Sequence, residues 1–440
     1  MTENALANAT HCALPGTPLE HARAGLDACV HCGFCMQSCP TYLVLEDEND
    51  SPRGRLLLMR SLLDGSLPVD DPDGRTHLDK CLGCRACETA CPSGVPYGHL
   101  LEATRATLTQ RRPVPLMGRL LLAVFARPML MRLAMAGGRL LRATRLSAVL
   151  ARVLPGRFGF ALHMVEATRT ALVRTAYTES GNGSNGTVTL LEGCVMQGLY
   201  AETNEATKRV MRVNDYRCVA TEGQACCGAL HAHAGDLDAA RRMAKQNIHA
   251  FEKSGTDFVV SNAAGCGAML KEYGQLLADD PEWADRAARI AYRSRDVSEL
   301  LAAAGPVEGG RVEAVATYDA PCHLLHAQRV TAPPLKVLTA IPGLTLVPLV
   351  DSEFCCGAAG IYNLLEPATS AAVLEPNLAH IADTNAAFVV TGNPGCLMHI
   401  GAGLAQDDGA ARTVHLVDLL DASYASRFGK RGRILPDARI

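Results

Sequence analysis

In the second half of the chain, short β-branched runs alternate with stretches of helical period. Thr187-Val-Thr-Leu190, Phe258-Val-Val-Ser261, Ala314-Val-Ala-Thr-Tyr318 and Phe388-Val-Val-Thr391 read as strands. Asp236 to Lys253, opened by an Asp cap, and Pro367 to Thr384 read as helices. Strands alternating with helices predict parallel α/β sheets.

This pattern is written twice. The first copy carries Cys194, then Cys226-Cys227-Gly228, then Cys266. The second carries Cys322, then Cys355-Cys356-Gly357, then Cys396. Cys322 follows Cys194 by 128 residues, Cys355 follows Cys226 by 129, and Cys396 follows Cys266 by 130. Such a period predicts two copies of one domain, over 187–305 and 311–425. Ligands of open parallel sheets sit outside the carboxyl ends of the strands. The four cysteines of each copy should therefore converge at one sheet end, with the two sites facing each other across a pseudo-dyad. Four gathered thiols suggest a further metal centre or redox site in each copy, one or two additional iron–sulfur clusters in all. The plainer alternative is cysteine retained as structure.

Upstream, from 105 to 180, apolar and basic positions interleave. Between Glu102 and Glu166 there are eleven arginines, no lysine and no acidic residue. Pro113, Pro115, Pro128 and Pro155 cut this arm into short helices. Arg119, Arg127, Arg132, Arg139, Arg142 and Arg145 recur three, four or seven apart, favouring one face. Two readings stay open. The arginines pair with the acidic remainder of the chain, or they dock an amphipathic surface on an anionic membrane or a partner subunit.

The first 104 residues hold the most specific signal. Cys29, Cys32, Cys35 and Cys39-Pro40 form one run, and Cys81, Cys84, Cys87 and Cys91-Pro92 form another. Both read C-x2-C-x2-C-x3-C-P, the spacing of a [4Fe–4S] ligand set whose fourth cysteine serves the other cluster. The expected ligation is crossed. Cys29, Cys32, Cys35 and Cys91 hold cluster I; Cys81, Cys84, Cys87 and Cys39 hold cluster II. Structural zinc favours paired C-x2-C, and disulfides need an oxidising compartment. His31 falls inside the first run and is read as tuning a cluster, not ligating it.

Composition narrows the picture further. Of eighteen cysteines, sixteen fall in the runs and the repeat; Cys12 and Cys218 remain, read as a free thiol in a polar tail and a small core residue. The net charge of −3 exerts no general pull on nucleic acid. No apolar leader or eighteen-residue apolar stretch is seen, so the expected location is the cytoplasm or the inner face of its membrane. Gly181-Asn-Gly-Ser-Asn-Gly186 matches a dinucleotide fingerprint but precedes a strand and reads as linker. No flavin or NAD is expected on this chain, and no catalytic acid or base.

The C…CC-G…C repeats resemble the cysteine-rich CCG domains of heterodisulfide-reductase-like proteins. A two-cluster ferredoxin module ahead of two such domains resembles the iron–sulfur subunits of glycolate oxidase (glycolate dehydrogenase). The residues that carry this are Ala28-Cys-Val-His-Cys-Gly-Phe-Cys35, Cys39-Pro-Thr-Tyr42, Pro52-Arg-Gly-Arg55, Leu191-Glu-Gly-Cys194, Gly265-Cys-Gly-Ala268, Lys271-Glu-Tyr-Gly-Gln275 and His326-Ala-Gln328. The resemblance implies an α+β multidomain fold: a helical ferredoxin-type module over 1–104, helices, then two tandem α/β CCG domains. It implies FAD-containing partner subunits that oxidise glycolate to glyoxylate and a respiratory acceptor such as quinone; peripheral inner-membrane contact is the expectation set by the arginine-rich arm. Where related CCG sites end in C-x-x-C, this chain has Met269 and His399, which weighs against a disulfide-splitting cluster. Lactate- and glycerol-3-phosphate-oxidising systems use similar subunits, though the lactate-utilisation protein lacks this ferredoxin front end.

Overall fold

The four β-branched runs form the inner strands of two four-stranded parallel sheets, whose outer strands lie outside those runs. In the first, β1 (Thr187–Leu190), β2 (Arg217–Cys218), β3 (Phe258–Ser261) and β4 (Ser294–Asp296) lie in the order β2-β1-β3-β4. In the second, β5 (Ala314–Tyr318), β6 (Leu344–Val347), β7 (Phe388–Thr391) and β8 (Arg412–His415) lie in the order β6-β5-β7-β8. The same order twice is the sequence repeat in three dimensions. The chain is seen in a computed structural model that describes residues 12–169, 172, 177, 181–407 and 409–429. Residues 1–11 of the expected ferredoxin module and most of 170–180 at the end of the arm lie outside the described residues.

Equivalent strands pair in equivalent register, Val188 beside Phe258 and Ala316 beside Phe388. β7 is buried along its length, as a parallel strand covered on both faces must be. Cys218 lies half-buried on the two-residue β2, its thiol donating to the Lys208 carbonyl at 3.6 Å. The helices fall where the pattern placed them, Leu237–Ser254 capped by Asp236 and Pro367–Asp383 opened by its proline.

One hydrophobic core spans both sheets, joining Val188 and Val260 to Ala316, Val390 and Tyr424. The helix Leu416–Phe428, which follows β8, packs on Ala201–Val213 of the first copy. Arg209 Nη2 meets Asp421 Oδ2 at 2.6 Å, and Asn214 Nδ2 donates to the Tyr424 hydroxyl at 2.9 Å. The strand ends also meet. The Ala264 N–H, after β3, donates to the Gly392 carbonyl, after β7, at 3.0 Å. The carboxyl ends of the two sheets therefore face one another.

Ahead of the sheets, the helices Pro40–Leu45, Pro52–Asp64, Pro72–Asp79 and Tyr97–Arg111 enclose a separate core of Leu19, Leu26, Met59, Leu78 and Leu100. Proline starts the first three, where its missing N–H costs no hydrogen bond. Cys12, expected in a polar tail, lies half-buried against this core. The module sits against both sheet copies. Arg105 donates to the carbonyls of Cys81 at 2.7 Å and His233 at 2.9 Å. The Tyr362 hydroxyl donates to the Lys80 carbonyl at 2.7 Å, and Thr89 Oγ1 lies 3.0 Å from His326 Nδ1. Arg85 is ion-paired with Glu272.

The arm folds as four helices, Leu116–Ala126, Pro128–Ala143, Leu146–Val153 and Gly156–Glu166, broken at Pro128 and Pro155 as expected and also at Arg145, where no proline stands and the backbone is left-handed with φ of 57°. Phe125 and Met131 pack on the first copy, while Pro128–Ala143 buries no residue completely.

Candidate metal centres

Each ferredoxin run coils around its middle cysteine in the same way. His31 and Gly33 flank Cys32 with φ of 54° and 85°; Gly83 and Arg85 flank Cys84 with φ of 65° and 67°. These paired left-handed residues curl three cysteines round one centre. The Gly83 N–H donates to Cys81 Sγ at 3.4 Å. Cys29, Cys32 and Cys35 border a concavity of about 430 Å³ together with Cys91, and Cys87 borders both this concavity and the second. Cys81, Cys84 and Cys87 border one of about 290 Å³ together with Cys39. The last cysteine of each run thus lies with the triplet of the other.

Three cysteines of one run with the last of the other match the donor set of a [4Fe–4S] cluster; a single tetrahedral ion with metal–sulfur bonds of about 2.3 Å holds its sulfurs about 3.8 Å apart. Burial pushes the Cys35 thiol up to about 11, and pushes Cys84 and Cys87 well above the ordinary thiol range. These sulfurs ionise readily only when a bound cation supplies the compensating charge.

The cages differ in their surroundings. Cys32 of the outer cage is exposed, between Val30 and Phe34, which are 69% and 68% accessible. All four cysteines of the inner cage are buried. Beside them lies a charged network that the sequence did not disclose. Arg55 is completely buried. Its Nη1 donates to Thr41 Oγ1 at 3.0 Å and lies 3.9 Å from Cys39 Sγ; its Nε donates to the His77 carbonyl at 2.7 Å. Its Nη2 meets Asp50 Oδ1 at 3.3 Å, and Lys80 Nζ meets Asp50 Oδ2 at 3.1 Å. The Tyr97 hydroxyl points at Cys81 Sγ, 3.7 Å away. Burial opposes the Arg55 charge, but Cys81, Tyr97, Cys39 and Asp50 outweigh it and hold its pKa above the usual value. A unit charge about 4 Å away is worth about 4 kcal/mol at an effective dielectric of about 20. Asp47, Asp50 and His77 lie close enough to share an ion, but Asp50 already faces two cations and is no vacant cation site.

In the sheet domains the cysteines of each copy also converge. Cys226 Sγ is 3.7 Å from Cys194 Sγ, and Cys227 Sγ is 3.3 Å from Cys266 Sγ. Cys322 Sγ is 3.7 Å from Cys355 Sγ, while Cys356 shares a hydrogen bond with Cys396. These spacings are close to those of thiolates on one metal atom. The hydrogen bonds joining Cys194 with Cys226 and Cys322 with Cys355 favour the thiolates of Cys226 and Cys355, and the Cys194 and Cys322 thiols are correspondingly raised. The glycine after each cysteine pair is required by geometry. Gly357 has φ of 88°, and a Cβ there would stand 2.7 Å from the Ser370 carbonyl oxygen.

The positions that depart from C-x-x-C are spoken for. Met269 is buried in the first copy's core. His399 lies 3.3 Å from Ser370 Oγ and 3.4 Å from Asn363 Nδ2, and burial lowers its pKa to about 4. Asp319, three residues before Cys322, is a buried carboxyl that sequence reasoning passed over. It accepts from Asn377 Nδ2 at 3.0 Å. Burial raises its pKa to about 7, with Cys355 adding to the effect.

Nine of the eleven arm arginines are exposed, Arg105 and Arg142 being the exceptions. Among the described residues none of the nine is held in an ion pair. Leu116, Leu120, Met129, Leu133, Val149 and Val153 are exposed beside them. Among the described residues no single helix is long and apolar enough to cross a membrane; Leu116–Ala126 and Pro128–Ala143 reach that length only as a pair bent by 103°.

Comparison with known proteins follows the same division. Residues 25–95 match the 4Fe-4S dicluster domain, and residues 188–271 and 316–401 each match the cysteine-rich domain. The probable glycolate oxidase iron–sulfur subunit of Bacillus subtilis is 37% identical over 412 residues, covering 89% of this chain and 92% of the relative. The glycolate oxidase iron–sulfur subunit of Escherichia coli is 34% identical over 386 residues, covering 86% and 90%. Lactate utilization protein A of Shouchella clausii is 31% identical over 237 residues, which is 53% of this chain and 98% of that protein.

The Asp319 environment yields a pH test. The native carboxyl keeps its proton to about pH 7, whereas the unfolded one releases it near 4. The unfolded state therefore binds fewer protons between these values, and stability falls as pH rises. Relative to Asp319→Asn, the wild type should lose about 2 kcal/mol of stability between pH 5 and pH 7 in urea unfolding. An equal difference at both pH values would place the Asp319 pKa near its ordinary value.

Proposed function

The chain belongs to the glycolate oxidase iron–sulfur subunits, and from this premise we propose how its parts serve as the electron-carrying member of an oxidoreductase complex. The convergence of Cys91 with Cys29, Cys32 and Cys35, and of Cys39 with Cys81, Cys84 and Cys87, carries the proposal. These eight cysteines hold two [4Fe–4S] clusters by crossed ligation. Each cluster supplies one reversible electron at a time. The cysteine-rich sets Cys194, Cys226, Cys227, Cys266 and Cys322, Cys355, Cys356, Cys396 hold a further sulfur-ligated centre in at least one copy.

Glycolate loses two electrons and two protons in becoming glyoxylate. On this proposal an FAD-containing partner subunit accepts both, and this chain draws the electrons off singly towards quinone or another respiratory acceptor. Val30 and Phe34 present an apolar rim at the outer cage, where a partner can approach Cys32 closely. Arg105, Arg85 and Tyr362 hold the inner cage against the cysteine-rich domains, so the onward path runs through packed protein. The buried thiols are shielded from water and oxidants by the same packing. No side chain here needs to move a proton.

The arm serves peripheral attachment to an anionic membrane face. Exposed arginines free of ion pairs beside exposed leucine, methionine and valine support this reading, since guanidinium heads reach phosphate while their stems cover apolar surface. The bend between Leu116–Ala126 and Pro128–Ala143 favours lying in the interface over spanning it.

Two outcomes test these assignments. In the complex reassembled with its flavoprotein subunits under anaerobic conditions, glycolate should produce the paramagnetic signals of reduced clusters on this chain. Reduction by lactate or glycerol 3-phosphate but not by glycolate would move the complex to the related substrate. Vesicles containing anionic lipid should retain the protein at low salt and release it as salt rises. Equal retention by neutral vesicles would contradict arginine-driven docking.

A further inference from the structure

We infer that Arg55, assisted by Lys80 and Tyr97, makes the inner cage the more easily reduced of the pair, so that electrons arriving at the outer cage are driven inward. The inference rests on the crossed two-cluster reading above and concerns only how this chain's residues bias it.

The two runs are alike in spacing and backbone turns, so their difference lies in what surrounds them. The inner cage has a fully buried guanidinium 3.9 Å from Cys39 Sγ and a hydroxyl directed at Cys81 Sγ. Asp50 faces both Arg55 and Lys80, and Asp47 stands close to Asp50, so the network as a whole is near neutral; the bias comes from its placement, with the Arg55 guanidinium 3.9 Å from Cys39 Sγ. Positive charge and hydrogen bonds to ligand sulfur favour the reduced, more negative state. The outer cage has its own arginine, Arg53, but Arg53 is paired with Glu48 at 2.5 Å and is 30% exposed. Its charge is neutralised and screened by water.

Geometry gives the inward direction a destination. Leu82 and Cys84 of the inner cage pack with Cys322 and Cys355 of the second cysteine-rich set in one apolar cluster. The step moves one electron from the outer cage to the inner cage. No bond is made or broken and no proton is transferred, and the reductant is the reduced flavin of the partner.

The test is a redox titration of the anaerobically prepared full chain followed by electron paramagnetic resonance. The outer signal is identified by its broadening with a water-soluble paramagnetic ion. In Arg55→Gln the ratio of inner to outer reduction at fixed potential should fall at least tenfold, a drop of about 59 mV for one electron. The outer midpoint should not move, and Arg55→Lys should restore most of the ratio. Should Arg55→Gln fail to fold, Lys80→Gln and Tyr97→Phe carry the test, each lowering the ratio about threefold. An unmoved inner midpoint in the folded variants, or an equal shift of both midpoints, overturns the inference. A wild-type chain without two cluster signals contradicts the two-cluster reading instead, and that is known before any variant is made.

Discussion

A run of cysteines two residues apart can wrap only three thiols round one centre before the chain must leave. The fourth cysteine, followed by proline, starts a new segment and points elsewhere. In this protein that departure ties the two halves of the module. Cys39 leads into the Pro40–Leu45 helix and lies at the inner cage, and Cys91 precedes Pro92 and lies at the outer cage. On the crossed ligation proposed above, neither cage is complete without the other run.

This mutual dependence also explains the charged interior. Arg55 would be costly inside a protein by itself. Removing one partner from a buried ion pair typically costs about 3–5 kcal/mol, whereas an apolar replacement of the whole pair can be neutral. The Arg55–Asp50–Lys80 network is thus weak evidence for stability and better understood through the sulfurs it touches. Its charge matters most in the buried cage, where water cannot answer it.

Much of this arrangement was legible in the sequence. Cysteine spacing and the 128-to-130-residue repeat are local or periodic signals that marked two copies of one domain, and the β-branched runs marked β1, β3, β5 and β7; the outer strands and the strand order emerged only in the fold. The proline breaks of the arm were equally readable. Arg55 was visible only as part of Pro52-Arg-Gly-Arg55, because its partners Asp50, His77 and Lys80 and its neighbour Cys39 are brought together by the fold. Asp319 was hidden for the same reason, its burial depending on Asn377 and Thr391 from other elements. The exposure of nine arginines could not be read from helical period, which places residues on a face without saying what covers it.

The central claim is the exchange of the fourth cysteine between runs. Paramagnetic resonance of the reduced Cys91→Ser and Cys39→Ser chains tests it most directly. Crossed ligation predicts that Cys91→Ser alters only the solvent-accessible signal and Cys39→Ser only the protected one. The reverse pattern, each substitution disturbing the signal of its own run, would contradict the account.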